Sequence, residues 1–191
     1  MRPTRSTLTL LLTLTFASTL FGRATTPAPN TSRSAPSAST SESIKRGEYL
    51  VATTGCHDCH SPKADAQMTP DAGRLLSGRP ATTAPPQQET GEARASLDFT
   101  AWSGPWGISY AANITPDRET GIGARYTEAA FIKTIRTGKK PEGEPLLPPM
   151  PWPAFKNMTD EDLKAIYAYL MSLKPVKNFV RASPVVTAAK R

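Results

Sequence analysis

Both cysteines and both histidines of this chain lie in five consecutive residues, inside the hexapeptide Gly-Cys-His-Asp-Cys-His at positions 55–60. Two thiols three positions apart, Cys56 and Cys59, are followed directly by the imidazole of His60. These three groups would all bind one ligand from a single short segment, and the rest of the chain would have to fold around that ligand. They therefore constrain the fold more than any other feature. Three chemistries use such a set: covalent attachment of a haem, a metal ion held by thiolates and imidazoles, and a thiol–disulfide couple.

The spacing C-x-x-C-H is the signature of c-type haem attachment. Residues three apart on a helical turn share one side, so Cys56 and Cys59 can each add across one vinyl group of the haem. His60 then follows as the proximal iron ligand. His57 lies on the wrong side of the turn to reach the opposite haem face, and we expect it to be exposed or hydrogen-bonded.

The two alternatives fit less well. A structural zinc ion takes four ligands, and four from five consecutive residues do not easily converge as a tetrahedron. A thioredoxin-like pair would use Cys56 and Cys59, but it belongs in a βαβ context for which the sequence gives no sign. We therefore predict one covalently bound haem c with its iron, and keep the other two chemistries as alternatives.

Without a second usable histidine, the distal iron ligand must be a methionine, a less usual donor such as lysine, or absent. Met150 lies in the segment 146–153, Leu-Leu-Pro-Pro-Met-Pro-Trp-Pro, where four prolines exclude helix and predict a stiff, extended backbone. Stiffness suits a weak thioether ligand, because little entropy is lost on ligation. A buried methionine in a Pro-rich surface turn is the alternative. We predict His60 and Met150 as the iron ligands.

A His/Met pair raises the reduction potential and leaves no open position on the iron. The sequence therefore predicts one-electron transfer, with no catalytic residues, in preference to catalysis at the metal.

Three segments have helical patterns. The first begins near Ser43 and runs into the cysteine motif. The second covers 127–137, with Thr127 as N-cap and Gly138 just past its end. The third begins at Thr159, which resembles a capping box with Asp162, and it is stopped by Pro175. No segment alternates with period two, so the predicted fold is mainly α, with three or more helices around the haem.

The stretch 61–112 is rich in proline and weakly periodic, and we predict a long loop insertion, with a short helix around Leu75 and Leu76. A structureless loop of this length is unusual unless it serves a function. Its apolar side chains suggest that it packs over a bulky apolar ligand. Its role, as docking surface or as lid, stays open.

The first 24 residues read as a secretory signal, with Arg2 and Arg5 before an apolar stretch at 8–21; an uncleaved anchor is the alternative. Residues 25–42 have the composition of a disordered linker, 43–180 of one domain, and 181–191 of a flexible tail. The whole chain carries a formal charge of +7, three units of which are arginines of the leader. The remainder is too mildly basic to indicate nucleic-acid binding.

These residues, taken in order, resemble a class I cytochrome c, and especially the haem subunits of bacterial membrane-associated dehydrogenases. The resemblance covers most of 43–180. It implies that the first and last helices cross near Gly47, Tyr49, Tyr167 and Leu170, and that Asn113, Thr115 and Trp152 join the haem site. It rests on Gly47–Tyr49, Cys56–His60, Asn113–Asp117, Glu119–Gly123, Phe131 with Arg136–Gly138, Pro149–Trp152, Asp160–Asp162 and Tyr167–Leu170. Those subunits usually carry several C-x-x-C-H motifs, and this chain has one.

We therefore expect an exported carrier of single electrons, periplasmic or otherwise extracytoplasmic, working between a dehydrogenase or other donor and a respiratory acceptor such as an oxidase or another cytochrome. A haem subunit bound permanently to a dehydrogenase complex, with membrane association through that partner or the N-terminus, is one alternative. An enzyme with an open distal site or a reactive dithiol is another.

Overall fold

The computed structural model describes residues 38–87 and 91–183. The predicted leader, most of the predicted linker and residues 184–191 lie outside the described residues. The described chain contains five helices and three strands, in the order α1 (Ala38–Thr53), α2 (Cys56–His60), β1 (Arg94–Ala95), β2 (Ala101–Gly104), β3 (Gly107–Tyr110), α3 (Glu128–Thr137), α4 (Trp152–Phe155) and α5 (Asp160–Ser172). None of these helices is long and apolar enough to cross a membrane.

The core forms where α1 packs on α5. Gly47 makes this crossing possible, because a Cβ there would overlap the carbonyl oxygen of Ala165 and lie 2.7 Å from the Cβ of Tyr169. The helices close around the buried side chains of Leu50, Val51, Leu76, Ile122, Ile135, Leu163, Ala165, Ile166 and Leu170. Leu163 and Leu170 keep only 1% of their surface exposed, so the apolar stripe of α5 is the largest contributor to this core.

Two aromatic residues expected at this crossing lie elsewhere. Tyr49 is 58% exposed, because a residue two positions after Gly47 points to the opposite face of α1. Tyr167 instead faces α3: its ring centroid lies 5.6 Å from that of Phe131, and its hydroxyl donates to the carbonyl of Tyr126.

The helix ends predicted from local residues are confirmed. The Thr127 hydroxyl accepts from the Ala130 amide, and Gly138 takes a left-handed conformation with φ 66°. At α5, the Thr159 hydroxyl accepts from the Asp162 amide. The Asp162 carboxylate accepts from Arg46 of α1 at 3.0 Å, so this side chain links two helices.

The N-terminal part of the prediction needs two corrections. Helix α1 begins at Ala38, five residues before the expected start and inside the segment predicted to be a disordered linker. A helix nucleated by packing at Leu50 and Val51 extends at little cost. The helix also stops at Thr53, and α2 starts separately, because Gly55 between them has φ 77°.

The stretch 61–112 is more ordered than a loop insertion. Strands β1, β2 and β3 form an antiparallel sheet in that order, although the sequence shows no period-two pattern there. Both faces of β2 and β3 are largely covered, so their sequences lack alternation. The short helix expected at Leu75–Leu76 is absent: hydrogen-bonded turns replace it, and Leu76 has φ 58°.

The segment 146–153 is not extended throughout. Pro148 and Pro149 form a turn with a cis peptide bond between them, and Pro153 lies in the first turn of α4. Proline is tolerated there because the first helical N–H groups have no partner within the helix.

Candidate haem site

The candidate site is built on α2, residues Cys56–His60, which we call the attachment turn. Gly55 starts it in the left-handed conformation, and a Cβ at Gly55 would lie 2.9 Å from the Asp58 carboxylate. Both thiols are free and partly buried, and burial raises the pKa of Cys56 and of Cys59. The two side chains are three positions apart on one helical turn, the spacing that c-type attachment needs.

The ring orientation of His60 is set by a main-chain partner. Its Nδ1 lies 2.7 Å from the carbonyl oxygen of Ala112. A carbonyl can only accept, so Nδ1 carries the hydrogen and Nε2 has the free lone pair in the neutral ring. Burial lowers the pKa of His60, which favours this neutral form. An imidazole whose second nitrogen is bonded to a carbonyl is the usual arrangement of a metal-ligating histidine.

Asn113 and Thr115 hold the segment that directly follows Ala112. The Asn113 carbonyl oxygen accepts from the Thr115 amide at 3.0 Å and from its hydroxyl at 2.7 Å. The Asn113 amide donates to the carbonyl oxygen of Val176 at 2.8 Å and to the Thr120 hydroxyl at 3.1 Å. Both side chains are buried, and their polar groups bond to the protein itself.

The same hydrogen-bond network holds the segment after α5. Asn178 donates to the carbonyl oxygens of Ser77 and Arg79 at 2.7 and 2.8 Å, and its own amide nitrogen donates to Thr120 at 3.0 Å. The segment after α5 is thereby hydrogen-bonded to residues that precede the sheet in sequence and to a residue that follows it.

Met150 is partly buried, and it packs against the same hydrophobic core as Cys56. The loop before it is held by the sheet: the Ser109 hydroxyl donates to the carbonyl oxygen of Pro148 at 2.5 Å, and Trp106 Nε1 donates to Ser109 at 3.3 Å. The insertion therefore supports the segment that carries the predicted distal ligand.

Trp152 lies at the start of α4, with its ring against the end of α3. A Cβ at Gly138 would lie 2.6 Å from Trp152 Cδ2, and the Lys156 ammonium is 5.8 Å from the ring centroid. These contacts of Trp152 join α4 to α3 and do not reach the attachment turn.

The other chemistries of the motif find no support in the described part of the chain. There, no three His, Cys, Asp or Glu side chains are grouped to hold a metal ion. His57 Nδ1 lies 2.9 Å from the Ser61 hydroxyl, so this ring is hydrogen-bonded, as expected. The three described strands are all antiparallel, so no βαβ unit surrounds the cysteines in residues 38–87 and 91–183.

Sequence reasoning missed three positions of the site: Ala112, Ser109 and Lys63. A main-chain acceptor such as Ala112 leaves no mark on residue type. Lys63 did carry a signal, because a lysine just after a helix C-terminus often bonds to its last carbonyls.

Comparison with known proteins agrees with this architecture. The family model described as Cytochrome c matches residues 44–174. The chain belongs to the cytochrome c family. As a cytochrome c, it has a covalently bound haem c, with iron, as its cofactor.

Several relatives of this cytochrome are dehydrogenase subunits. It is 35% identical over 142 residues to the fructose dehydrogenase cytochrome subunit of Gluconobacter japonicus, covering 74% of this chain and 24% of that protein. It is 38% identical over 128 residues to the gluconate 2-dehydrogenase cytochrome c subunit of Pantoea cypripedii, covering 67% and 22%. It is 34% identical over 134 residues to the cytochrome c subunit of the alcohol dehydrogenase (quinone) of Gluconobacter oxydans, covering 70% and 22%. These matches span less than a quarter of each relative's length.

Proposed function

We propose that this cytochrome is an extracytoplasmic monohaem electron carrier that passes single electrons from a dehydrogenase, or another donor, to a respiratory acceptor. In this proposal Cys56 and Cys59 form the thioether bonds, and His60 and Met150 are the iron ligands. The haem supplies a site that gains and loses one electron, and the protein around it sets how readily this happens. The predicted leader supports the proposed location.

The observation that carries the assignment of His60 is its bond to Ala112. Donation from Nδ1 holds the ring in one orientation and directs the lone pair of Nε2 away from the carbonyl. It also makes the imidazole a better electron donor to a metal. Asn113 and Thr115 enter the proposal through this bond: they hold the carbonyl in place, and we assign them a positioning role instead of direct contact with the cofactor.

Met150 is proposed as the second ligand because the loop that carries it is held by hydrogen bonds from the protein itself. The carbonyl of Pro148 is bonded to Ser109, and the Met150 amide donates to the carbonyl of Leu147 at 3.2 Å. A thioether is a weak ligand, so a loop that loses little freedom on ligation favours binding. Trp152, two positions later, is assigned the role of fixing the far end of this loop against α3.

The test is the visible spectrum of protein made with c-type haem maturation. We expect sharp reduced bands, a sulfur-to-iron charge-transfer band in the oxidised form, and haem that stays with the chain in acid-acetone. Met150→Ala should remove the sulfur band. Met171→Ala is the matched control, because Met171 packs against the core from α5 and should leave the band unchanged. A Met150→Ala protein that keeps the sulfur band would overturn the ligand assignment.

A second candidate function is a haem subunit bound permanently within a dehydrogenase complex. The names of the relatives favour it, since they are subunits of dehydrogenases. Purification from native membranes under mild conditions separates the two roles. A stoichiometric partner that persists through several columns would support the subunit, and a monomer in every extract would exclude it.

A further inference from the structure

Lys63 occupies an unusual position directly after the attachment turn. Its ammonium donates to three carbonyl oxygens: those of His57 at 3.3 Å, Asp58 at 2.8 Å and Ser61 at 2.7 Å. The last carbonyls of a helix have no partner within it, and together they form the negative end of the helix dipole. A short helix that begins at Cys56 and ends at His60 is thus closed by one cation.

The lysine side chain is delivered to this place by a rigid loop. Lys63 forms an isolated antiparallel bridge with Pro70, and the Asp71 amide donates to the carbonyl of Pro62 at 2.8 Å. Asp65 further closes the loop by accepting from the Thr69 amide at 3.0 Å. The loop fixes the main chain of Lys63, and the three carbonyls hold its ammonium. The side chain is therefore more restricted than that of a typical surface lysine.

Three carbonyls use all three donors of an ammonium. No donor is left for a partner protein's carboxylate, so Lys63 is directed at its own main chain. Burial lowers the pKa of Lys63, whereas the nearby carboxylates of Asp58 and Asp98 act in the opposite direction. The group is partly buried, and salt screens a partly buried charge less than an exposed one.

We propose that Lys63 is a positioning residue for the haem site, which holds the attachment turn and fixes a positive charge beside it that raises the reduction potential. The inference rests on the proposed function of Cys56, Cys59 and His60. Adding one electron to the iron lowers the positive charge of the site by one unit, and no bond forms or breaks. A fixed cation favours the state with the lower positive charge.

Four variants separate the charge from the hydrogen bonds. Lys63→Met removes both, Lys63→Gln keeps an amide donor but no charge, and Lys63→Arg keeps the charge on a planar group that does not match the three carbonyls. Lys133→Met is the matched control, because Lys133 is exposed on α3 and its loss changes the net charge by the same unit. Covalent haem, reduction potential at low and high salt, and thermal unfolding are measured for each holoprotein.

We expect a lower potential in Lys63→Met and Lys63→Gln, a shift that persists at high salt. Lys63→Arg should keep the wild-type potential but unfold at a lower temperature, and Lys133→Met should change neither. If both neutral variants fail to load haem while Lys63→Arg loads normally, the result supports the proposal, because only a cation then holds the turn. A potential in Lys63→Met equal to that of Lys133→Met would overturn it. Wild-type protein without covalent haem would instead overturn the proposed function.

Discussion

Replacing Gly47 by alanine tests the crossing of α1 and α5, on which the core depends. The new Cβ would overlap the carbonyl oxygen of Ala165 and approach the Cβ of Tyr169 to 2.7 Å, a separation that real Cβ atoms do not show. The atom in the way is main chain, so it can move only if α5 moves. Overpacking of this kind costs about 1–3 kcal/mol. An overlap with main chain belongs at the upper end of that range, about 2–3 kcal/mol. Alanine recovers about 1 kcal/mol of helix propensity, so the net loss should be about 1–2 kcal/mol.

For a domain of this size, that loss lowers the unfolding temperature by about 2–8 °C. The assay is reversible thermal unfolding of the holoprotein, followed by far-ultraviolet circular dichroism. Gly91→Ala is the control, because a Cβ at Gly91 meets nothing within 4 Å. Gly47→Val should lose more than Gly47→Ala, since it adds two methyl groups and gives back most of the propensity gain. A Gly47→Ala protein as stable as wild type would refute the close approach of the two helices.

Three further changes address other parts of the fold. Leu163→Ala should cost about 2–5 kcal/mol in denaturant unfolding, because a fully buried side chain leaves a cavity; a cost below that of Thr159→Ala would contradict its central place. Thr159→Ala should cost about 1 kcal/mol, because the Asp162 amide loses its acceptor, and Thr159→Ser should restore most of it. Hydrogen bonds from the Thr120 hydroxyl and amide hold the pKa of Asp117 below its ordinary value of 3.8. The contribution of Asp117 to the free energy of unfolding is therefore complete above pH 3.8, and it is lost as the pH falls through the lower pKa of the folded protein. Asp117→Asn should therefore make the free energy of unfolding, measured on both sides of pH 3.8, fall less steeply with acid. An unchanged pH dependence would exclude Asp117 as a source of the acid sensitivity.

The helices α3 and α5 could be predicted because the signals that start and end them are local. Thr127, Gly138 and Thr159 act on amides and carbonyls within four positions, so residue type and spacing are enough. The apolar stripe of α5 likewise predicts which residues enter the core. The C-x-x-C-H spacing predicts the cofactor for the same reason, since one helical turn carries all three groups.

What could not be predicted depends on partners distant in sequence. His60 finds its carbonyl 52 residues away, and any residue type can supply a carbonyl. Strands β2 and β3 were missed because both of their faces are covered, which removes the alternation that marks a strand. Asn113 was associated with the site by resemblance, but its bonds to Thr115 and Val176 are visible only in the folded chain.

The hydrogen bonds of the segment after α5 determine where this domain can be truncated or fused to another protein. A fusion, an electrode tether or a truncation placed directly after Ser172 would keep all five described helices complete. It would nevertheless remove the carbonyl oxygens of Val176 and Asn178, which accept from the Asn113 side-chain amide at 2.8 and 3.4 Å. Asn113 directly follows Ala112, so the segment that carries the acceptor of His60 would lose these contacts. The smallest unit worth engineering therefore extends past Asn178, and the nonhelical residues 173–178 support the proposed cofactor site as much as the helices do.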